Sequence, residues 1–298
     1  VQRWLTSVRG LLSLTLFVLV TLVVSVPLII LSLAKLLLQK TPLRSGLTRT
    51  LDEVASVWIS ANNVHQRLLL PTRIHLTGSR NLDASQWYML VVNHQSWVDI
   101  LVLLRTFNRR LPYWKFFLKT SLLWIPVLGL AFWALDFPYM RRHSKEEIER
   151  DPSLAGRDLE MTRRQCARYA SHPVTVISYL EGTRFTWKKH RQQDSPYRHL
   201  LIPKAGGLAF TLAAMEGKLQ HLLDVTIHYP EGVPTFWDYV CGRVGQINLD
   251  VKVRALGPER IGDYTGDPAF RQAMQHWVNQ LWQEKDQLLE SLGQKTQA

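Results

Sequence analysis

Cysteine is nearly absent: Cys166 and Cys241 are the only two in 298 residues, and their contexts are unrelated. That excludes a disulfide framework and a CxxC zinc pattern, and it suits a reducing compartment. No metal-ligand spacing is legible, so no metal is expected. The nucleophile elbow G-x-S-x-G is missing too, which removes the usual mark of an α/β-hydrolase. Internal repeats and low-complexity tracts are not visible. Acidic residues are scarce: 24 Asp and Glu face 36 Lys and Arg, for a net charge of +12. Such an excess attends a polyanion, whether nucleic acid, an anionic membrane face or phosphorylated substrates. With 46% hydrophobic and 20% charged residues, a packed core is expected and bulk disorder is not.

Charge is wholly absent from Gly10 to Ala34, "GLLSLTLFVLVTLVVSVPLIILSLA". A straight helix of this length reaches about 37 Å, enough to span a hydrocarbon core. The run is too long for a signal-peptide h-region, and no small-x-small cleavage site follows it. Pro27 is expected to kink it. Basic residues flank both sides, Arg3 and Arg9 before and Lys35, Lys40, Arg44 and Arg49 after. Balanced flanks leave two arrangements open, a single span and a hairpin returning to the same face. Residues 1–44 are therefore read as a membrane anchor and 45–298 as the second unit, facing the cytoplasm. A second apolar stretch, Ser121 to Phe137, is broken by Pro126 and Gly129. It reads either as a core segment or, given Trp124 and Trp133, as an interfacial element.

The remainder alternates helix and strand. Residues 45–70 have helical spacing, with Leu51, Val54, Ala55, Trp58 and Ile59 on one stripe. Strands are expected at 72–78, 87–92, 173–180, 222–229 and 246–256, and helices after Asn93, over 157–170, 205–216 and 268–292. The result is an α/β fold with a mixed, mostly parallel central sheet flanked by helices, preceded by the anchoring helix or helical hairpin. Ligands of such sheets sit beyond the carboxyl ends of strands, and "VVNHQSWVDI" and "YLEGTRF" fall at two of those ends.

His94 and Asp99 stand five residues apart. On one regular helix their side chains diverge by roughly 140°, so they meet only if His94 lies in the turn before the helix and Asp99 within it. Ser96 is a candidate N-cap there. Asp99 can then hold one imidazole nitrogen while the other faces a hydroxyl, the logic of a general base; a buried structural pair is the competing reading. In "YLEGTRF", Gly182 and Thr183 allow close backbone approach, and Arg184 offers a bidentate grip on phosphate beside Glu181. A surface turn with a local ion pair is the plainer alternative. "DFPYMRR" brings Arg141 out of an apolar segment, and "LIPKAGGLAF" sets Lys204 before a helix N-terminus.

Taken in order, "NHQSWVD", "FPYMRR", "YLEGTR" and "LIPKAGG" with "DVTIHYP" resemble the motif boxes of the glycerolipid acyltransferases, of the 1-acyl-glycerol-3-phosphate acyltransferase type, over residues 93–230. "LLDVTIHYP" and "WVNQLWQEKDQLLE" look like the branch holding lysocardiolipin and lysophospholipid acyltransferases. The pattern departs at Phe185, where many members have serine, and at Thr226, where many have proline. The resemblance implies a catalytic dyad of His94 and Asp99, with Glu181, Gly182, Thr183, Arg184, Arg141 and Lys204 binding the acceptor. It implies direct attack of the acceptor hydroxyl on an acyl thioester, with no cofactor beyond acyl-CoA or acyl-carrier protein as co-substrate. Expected partners are a phospholipid surface, a lysophospholipid and that donor, not nucleic acid. The expected location is the cytoplasmic face of a bacterial inner membrane. Two competing classes remain: a hydrolase using Ser96 or Cys166 with His94, and a membrane-anchored nucleic-acid-binding protein supported by charge alone.

Overall fold

A computed structural model describes residues 2–79, 81–124, 128–140 and 153–297. Two long helices come first, α1 (Gln2–Leu37) and α2 (Leu43–Leu69). The α/β part follows as β1 (Arg73–Gly78), β2 (Tyr88–Val92), α3 (Val98–Phe107), β3 (Trp114–Phe116), β4 (Leu118–Lys119), α4 (Leu128–Ala134), β5 (Tyr139–Met140), α5 (Ser153–Cys166) and β6 (Thr175–Ser178). It closes with α6 (Trp187–Gln193), α7 (Gly206–Ala214), β7 (His221–His228), α8 (Phe236–Val240), β8 (Gln246–Ala255) and α9 (Pro268–Gln297).

The main sheet has the order β1-β8-β7-β2-β6-β3. Every neighbouring pair is parallel except β7 with β8. β4 and β5 form a separate parallel pair. The central strands are buried on both faces, and period-two alternation sorts their side chains. Leu90, Val92, Ile177, Val225 and Ile227 enter one core with α3. Met89, Val91, Val176 and Leu222 enter the other with α7 and α9. β8 alternates as its sequence predicts, burying Ile247, Leu249 and Val251.

The mixed, mostly parallel sheet matches the sequence reading; the ends of elements differ. The helix expected over 157–170 is α5, which tightens into a 3₁₀ turn at Ala167–Ser171. The stretch from Ser121 divides its roles. Ala134, Leu135 and Phe137 pack with Leu28 of α1 and Leu51 and Ala55 of α2, whereas Trp124 points outward.

α1 runs unbroken through Pro27, the lost N–H costing one ladder bond but not the helix. It is the one described helix long and apolar enough to cross a membrane, over Trp4–Leu37. α2 returns antiparallel beside it. Ser13 meets His65, Phe17 packs edge-on against Trp58, and Trp58 Nε1 donates to Thr21 Oγ1 at 3.0 Å. Both ends of α1 touch the body. A Cβ on Gly10 would sit 2.5 Å from Cys241 Sγ, so only glycine permits that approach to α8. At the other end buried Lys35 donates to the Ala134 carbonyl and to Asp136 Oδ2 at 2.6 and 2.5 Å.

Candidate active site

The carboxyl edge of the sheet assembles the site from three segments. β2 ends at Val92, and Asn93, fully buried, continues its pairing through the side chain. The carboxamide donates to the Ile227 carbonyl and accepts from the Ile227 N–H, both at 2.9 Å. It substitutes for a strand residue and pins the next turn against β7. His94 leaves in that turn and Asp99 enters the first turn of α3. The two thus meet across five residues, with His94 Nδ1 2.8 Å from Asp99 Oδ2. Ser96 lies one position before the cap residue Trp97, and its hydroxyl accepts the Val98 N–H at 3.1 Å.

Asp99 is fully buried and every contact to it is a donor. Oδ2 accepts from the Gln95 and Ser96 N–H groups at 2.7 and 2.9 Å. Oδ1 accepts the Tyr229 hydroxyl at 2.6 Å. Burial, with the Asp99 charge beside it, pushes the Tyr229 phenol well above its ordinary value, so this hydroxyl stays a donor. The His94 ring stacks on Tyr179, centroids 4.0 Å apart, and keeps 14% of its side chain exposed. Among the described contacts Nε2 has no protein partner, so the tautomer held by Asp99 leaves a basic nitrogen facing outward.

Residues 181–185 clamp the same turn. Glu181, 1% exposed, accepts the His94 N–H on one oxygen and the Leu201 N–H on the other, each at 3.1 Å. Burial pushes its carboxyl up to about 8 against the downward pull of those two donors. The Phe185 N–H donates to the His94 carbonyl at 2.7 Å. The His94 peptide is therefore bracketed at both ends by one loop. Gly182, with φ 69°, makes the left-handed bend that lets the loop fold back. Lys189 of α6 closes it, donating to Thr183 Oγ1 and the Arg184 carbonyl at 2.6 and 3.0 Å. Arg184 stays exposed, its guanidinium 4.8 Å over the Trp97 ring. Lys204 is exposed, and its N–H donates to the Leu180 carbonyl at 2.9 Å, placing it at the same edge. Arg141 lies outside the described residues.

The structure thus gathers His94, Asp99, Glu181, Gly182, Thr183 and Arg184, with Lys204 alongside. Glu181 is turned inward onto backbone amides. Asn93, Tyr179 and Tyr229 were missed as members of the cluster. An amide straight after a buried apolar run was the available signal for Asn93; Tyr179 and Tyr229 fall inside the quoted "YLEGTR" and "DVTIHYP" segments, where nothing in the spacing assigns them a contact to His94 or Asp99. The hydrolase reading loses its nucleophiles. Ser96 Oγ donates to the Pro234 carbonyl at 2.6 Å. Cys166 is buried in the α7 and α9 core, its thiol pushed up to about 12 by burial. Among the described residues no His, Cys, Asp and Glu cluster could hold a metal.

Comparison with known proteins covers the same segments. The Acyltransferase family model matches residues 73–228, more than half of the chain and all of this cluster but Tyr229, which it stops one residue short of. Mouse 1-acyl-sn-glycerol-3-phosphate acyltransferase gamma is 28% identical over 190 residues, covering 61% of this chain and 46% of that protein. Lysocardiolipin acyltransferase 1 of Danio rerio is 22% identical over 251 residues, covering 80% and 61%. The chain spans about half the length of the curated relatives it matches. The crystal structure of the 1-acyl-sn-glycerophosphate (LPA) acyltransferase PlsC from Thermotoga maritima shares the fold, with a TM-score of 0.52 and 17% identity over 93% of this chain and 97% of that one. With a family model spanning the sheet edge on which His94 and Asp99 meet, the chain belongs to the acyltransferase family.

Proposed function

We propose that the protein moves a fatty acyl chain from an acyl thioester to the free hydroxyl of a lysophospholipid, 1-acyl-glycerol-3-phosphate yielding phosphatidic acid. The observation that carries this reading is the 2.8 Å contact of His94 Nδ1 with Asp99, which leaves Nε2 outward. The acceptor hydroxyl is a poor nucleophile at neutral pH, and a base within reach removes that barrier. In the proposed step its proton passes to His94 Nε2 as its oxygen attacks the thioester carbonyl. Collapse of the tetrahedral adduct breaks the C–S bond, and the departing sulfur takes the proton back. Asp99 favours the imidazolium formed in between. Arg184 and Lys204, exposed cations at this edge, receive the acceptor phosphate, with the Thr183 backbone beside them and Gly182, its own N–H spent on the Tyr179 carbonyl at 2.9 Å, allowing the close approach. Arg141 joins that set by resemblance alone. Glu181 acts as a positioning group through the His94 peptide.

Lysophospholipids with other head groups are the second substrate reading, favoured by the similarity to lysocardiolipin acyltransferase 1. Coenzyme A or carrier protein serves as the donor's handle. The +12 charge then answers a phosphorylated acceptor, a phosphorylated donor and an anionic lipid surface together, with no nucleic acid needed.

Membrane anchoring belongs to the same reading, with residues 1–44 as the anchor. α1 touches the body at both Gly10 and Lys35, about 37 Å apart along the helix. A helix flush with a polar body over that length cannot cross a bilayer while the body stays outside it. This supports an anchor embedded from one side, a hairpin of α1 with α2 that runs past residue 44 to Leu69 and does not fold back at Pro27, with Leu11, Leu19, Val23 and Ile30 outward. The reduced, buried Cys166 and Cys241 favour the cytoplasmic face, in a bacterial inner membrane.

The test is a grid of lysophospholipids against acyl-coenzyme A and acyl-carrier protein, using purified full-length protein. Diacyl product that requires both substrates is expected. Thioester cleavage that ignores the acceptor would overturn the transferase reading.

A further inference from the structure

A groove of about 330 Å³ runs beside the dyad turn, lined by Trp97, Ile100, Leu101 and Phe236. Its walls are apolar, and nothing in the proposed chemistry has used them. Leu101 also lines a narrower cleft with Leu104, Phe17 and Trp58. Trp97, Leu101 and Leu104 fall at i, i+4 and i+7, one stripe at the α3 surface about 10 Å long. The track therefore leads from the dyad turn to the α1–α2 hairpin, where Val18, Leu19 and Leu22 of α1 are exposed.

Three kinds of group meet along this track. Arg184 stacks on Trp97 at one end, and His94 stands in the same turn, three residues before that tryptophan. The apolar groove shares Trp97 as a wall, and the outward face of α1 lies beyond it. A monoacyl glycerophospholipid carries the matching three on one glycerol: phosphate, free hydroxyl, ester-linked chain. A thioester donor does not match, because its nearest phosphate lies a whole pantetheine arm from the reacting carbonyl. Resting on the function proposed above, we infer that the groove of Trp97, Ile100, Leu101 and Phe236 holds the resident acyl chain of the acceptor, which enters sideways from the leaflet beside α1. The groove adds little affinity, since the chain exchanges one apolar setting for another. Its effect is orientation: it fixes the glycerol so that the hydroxyl faces Nε2.

Photo-cross-linking tests this on full-length protein in lipid nanodiscs. One probe is 1-acyl-glycerol-3-phosphate with a diazirine midway along its chain; the other is acyl-coenzyme A with the same diazirine. The acceptor probe is expected to label α3 around Ile100–Leu104 and α8 around Phe236, and the donor probe to label other peptides. Ile100→Trp, which fills the groove, should remove most of that labelling. It should also lower kcat/KM for a long-chain acceptor roughly tenfold, the scale of a small misplacement, while sparing a hexanoyl acceptor. Should Ile100→Trp melt early, Phe236→Ala, which widens the groove, is expected to scatter the labels instead. Acceptor labels elsewhere, donor labels in the groove, or equal losses for both acceptors would overturn the inference. Cross-linking needs no turnover, so groove labelling without transferase activity would remove the proposed function and leave the groove. Activity without groove labelling would do the reverse.

Discussion

Asp99 and Asp136 are both buried carboxylates that collect donors from several elements, yet their donors differ in kind. Asp136 receives Lys35 of α1 at 2.5 Å, Thr48 of α2 at 3.3 Å and Arg168 at 3.4 Å. Its own carbonyl accepts the Tyr169 hydroxyl at 2.6 Å. Lys35 spends its remaining contact on the Ala134 carbonyl, so the junction is closed. Asp99 receives two backbone amides, a phenol and an imidazole. Only the imidazole has a second nitrogen, and that nitrogen is outward. A buried carboxylate fastens a fold when its partners end on it. It supports chemistry when one partner can pass a proton onward.

That contrast is open to experiment. Of the changes that break the comparison itself, the largest effect is expected from Asp99→Asn. The amide oxygen can keep the contacts to His94, Gln95 and Ser96, while its NH₂ faces a Tyr229 hydroxyl that can rotate to accept. The fold should therefore survive and the charge alone disappear. Turnover should fall roughly 10²–10⁴-fold with little change in melting. Asp136→Asn should behave in the opposite way. It leaves Lys35 buried with no countercharge, a loss of about 3–5 kcal/mol, while kcat per folded molecule holds. Chemical denaturation read beside initial rates separates the two.

Arg184→Ala comes next, and it sharpens the comparison by leaving both carboxylates alone. Loss of a charged phosphate contact should cost about 1.5–3 kcal/mol in acceptor kcat/KM. Arg184→Lys should recover only part, because lysine lacks the planar fork. Kinetics against the lysophospholipid, at saturating donor, give the measurement. Tyr229→Phe is expected to be smallest, about 1.5 kcal/mol or roughly tenfold. It frees Asp99 Oδ1 and should lower kcat while leaving acceptor KM in place. A purely structural Tyr229 would instead lower Tm at constant kcat.

Much of the site was legible because its signal is local. The run ending at Val92 marked a buried strand, and five-residue spacing placed His94 before the helix and Asp99 inside it. What stayed hidden depends on long-range pairing. Tyr229 reaches Asp99 from 130 positions away, so no spacing announces it. Lys35 reads as a flanking charge but is buried on Asp136. Lys115 and Lys285 are likewise buried, on Asp52 at 2.8 Å and Asp224 at 2.6 Å. Helical periodicity gives the face of α5 but not its ends, which explains the shift from 157–170 to Ser153–Cys166. Glu181 reads as a surface acid beside Arg184, yet the loop needs two backbone donors answered and draws it inward.

The central claim is that His94 acts as a base and is not half of a structural pair, and His94→Ala tests it most directly. Glu181 and Phe185 bracket the His94 backbone whatever its side chain, and Asp99 keeps three other donors. The variant should therefore melt like the parent and lose roughly 10²–10⁴-fold or more in acyl transfer, the worth of a positioned base. A His94→Ala protein that melts normally and transfers acyl chains at near the parent rate would contradict the account.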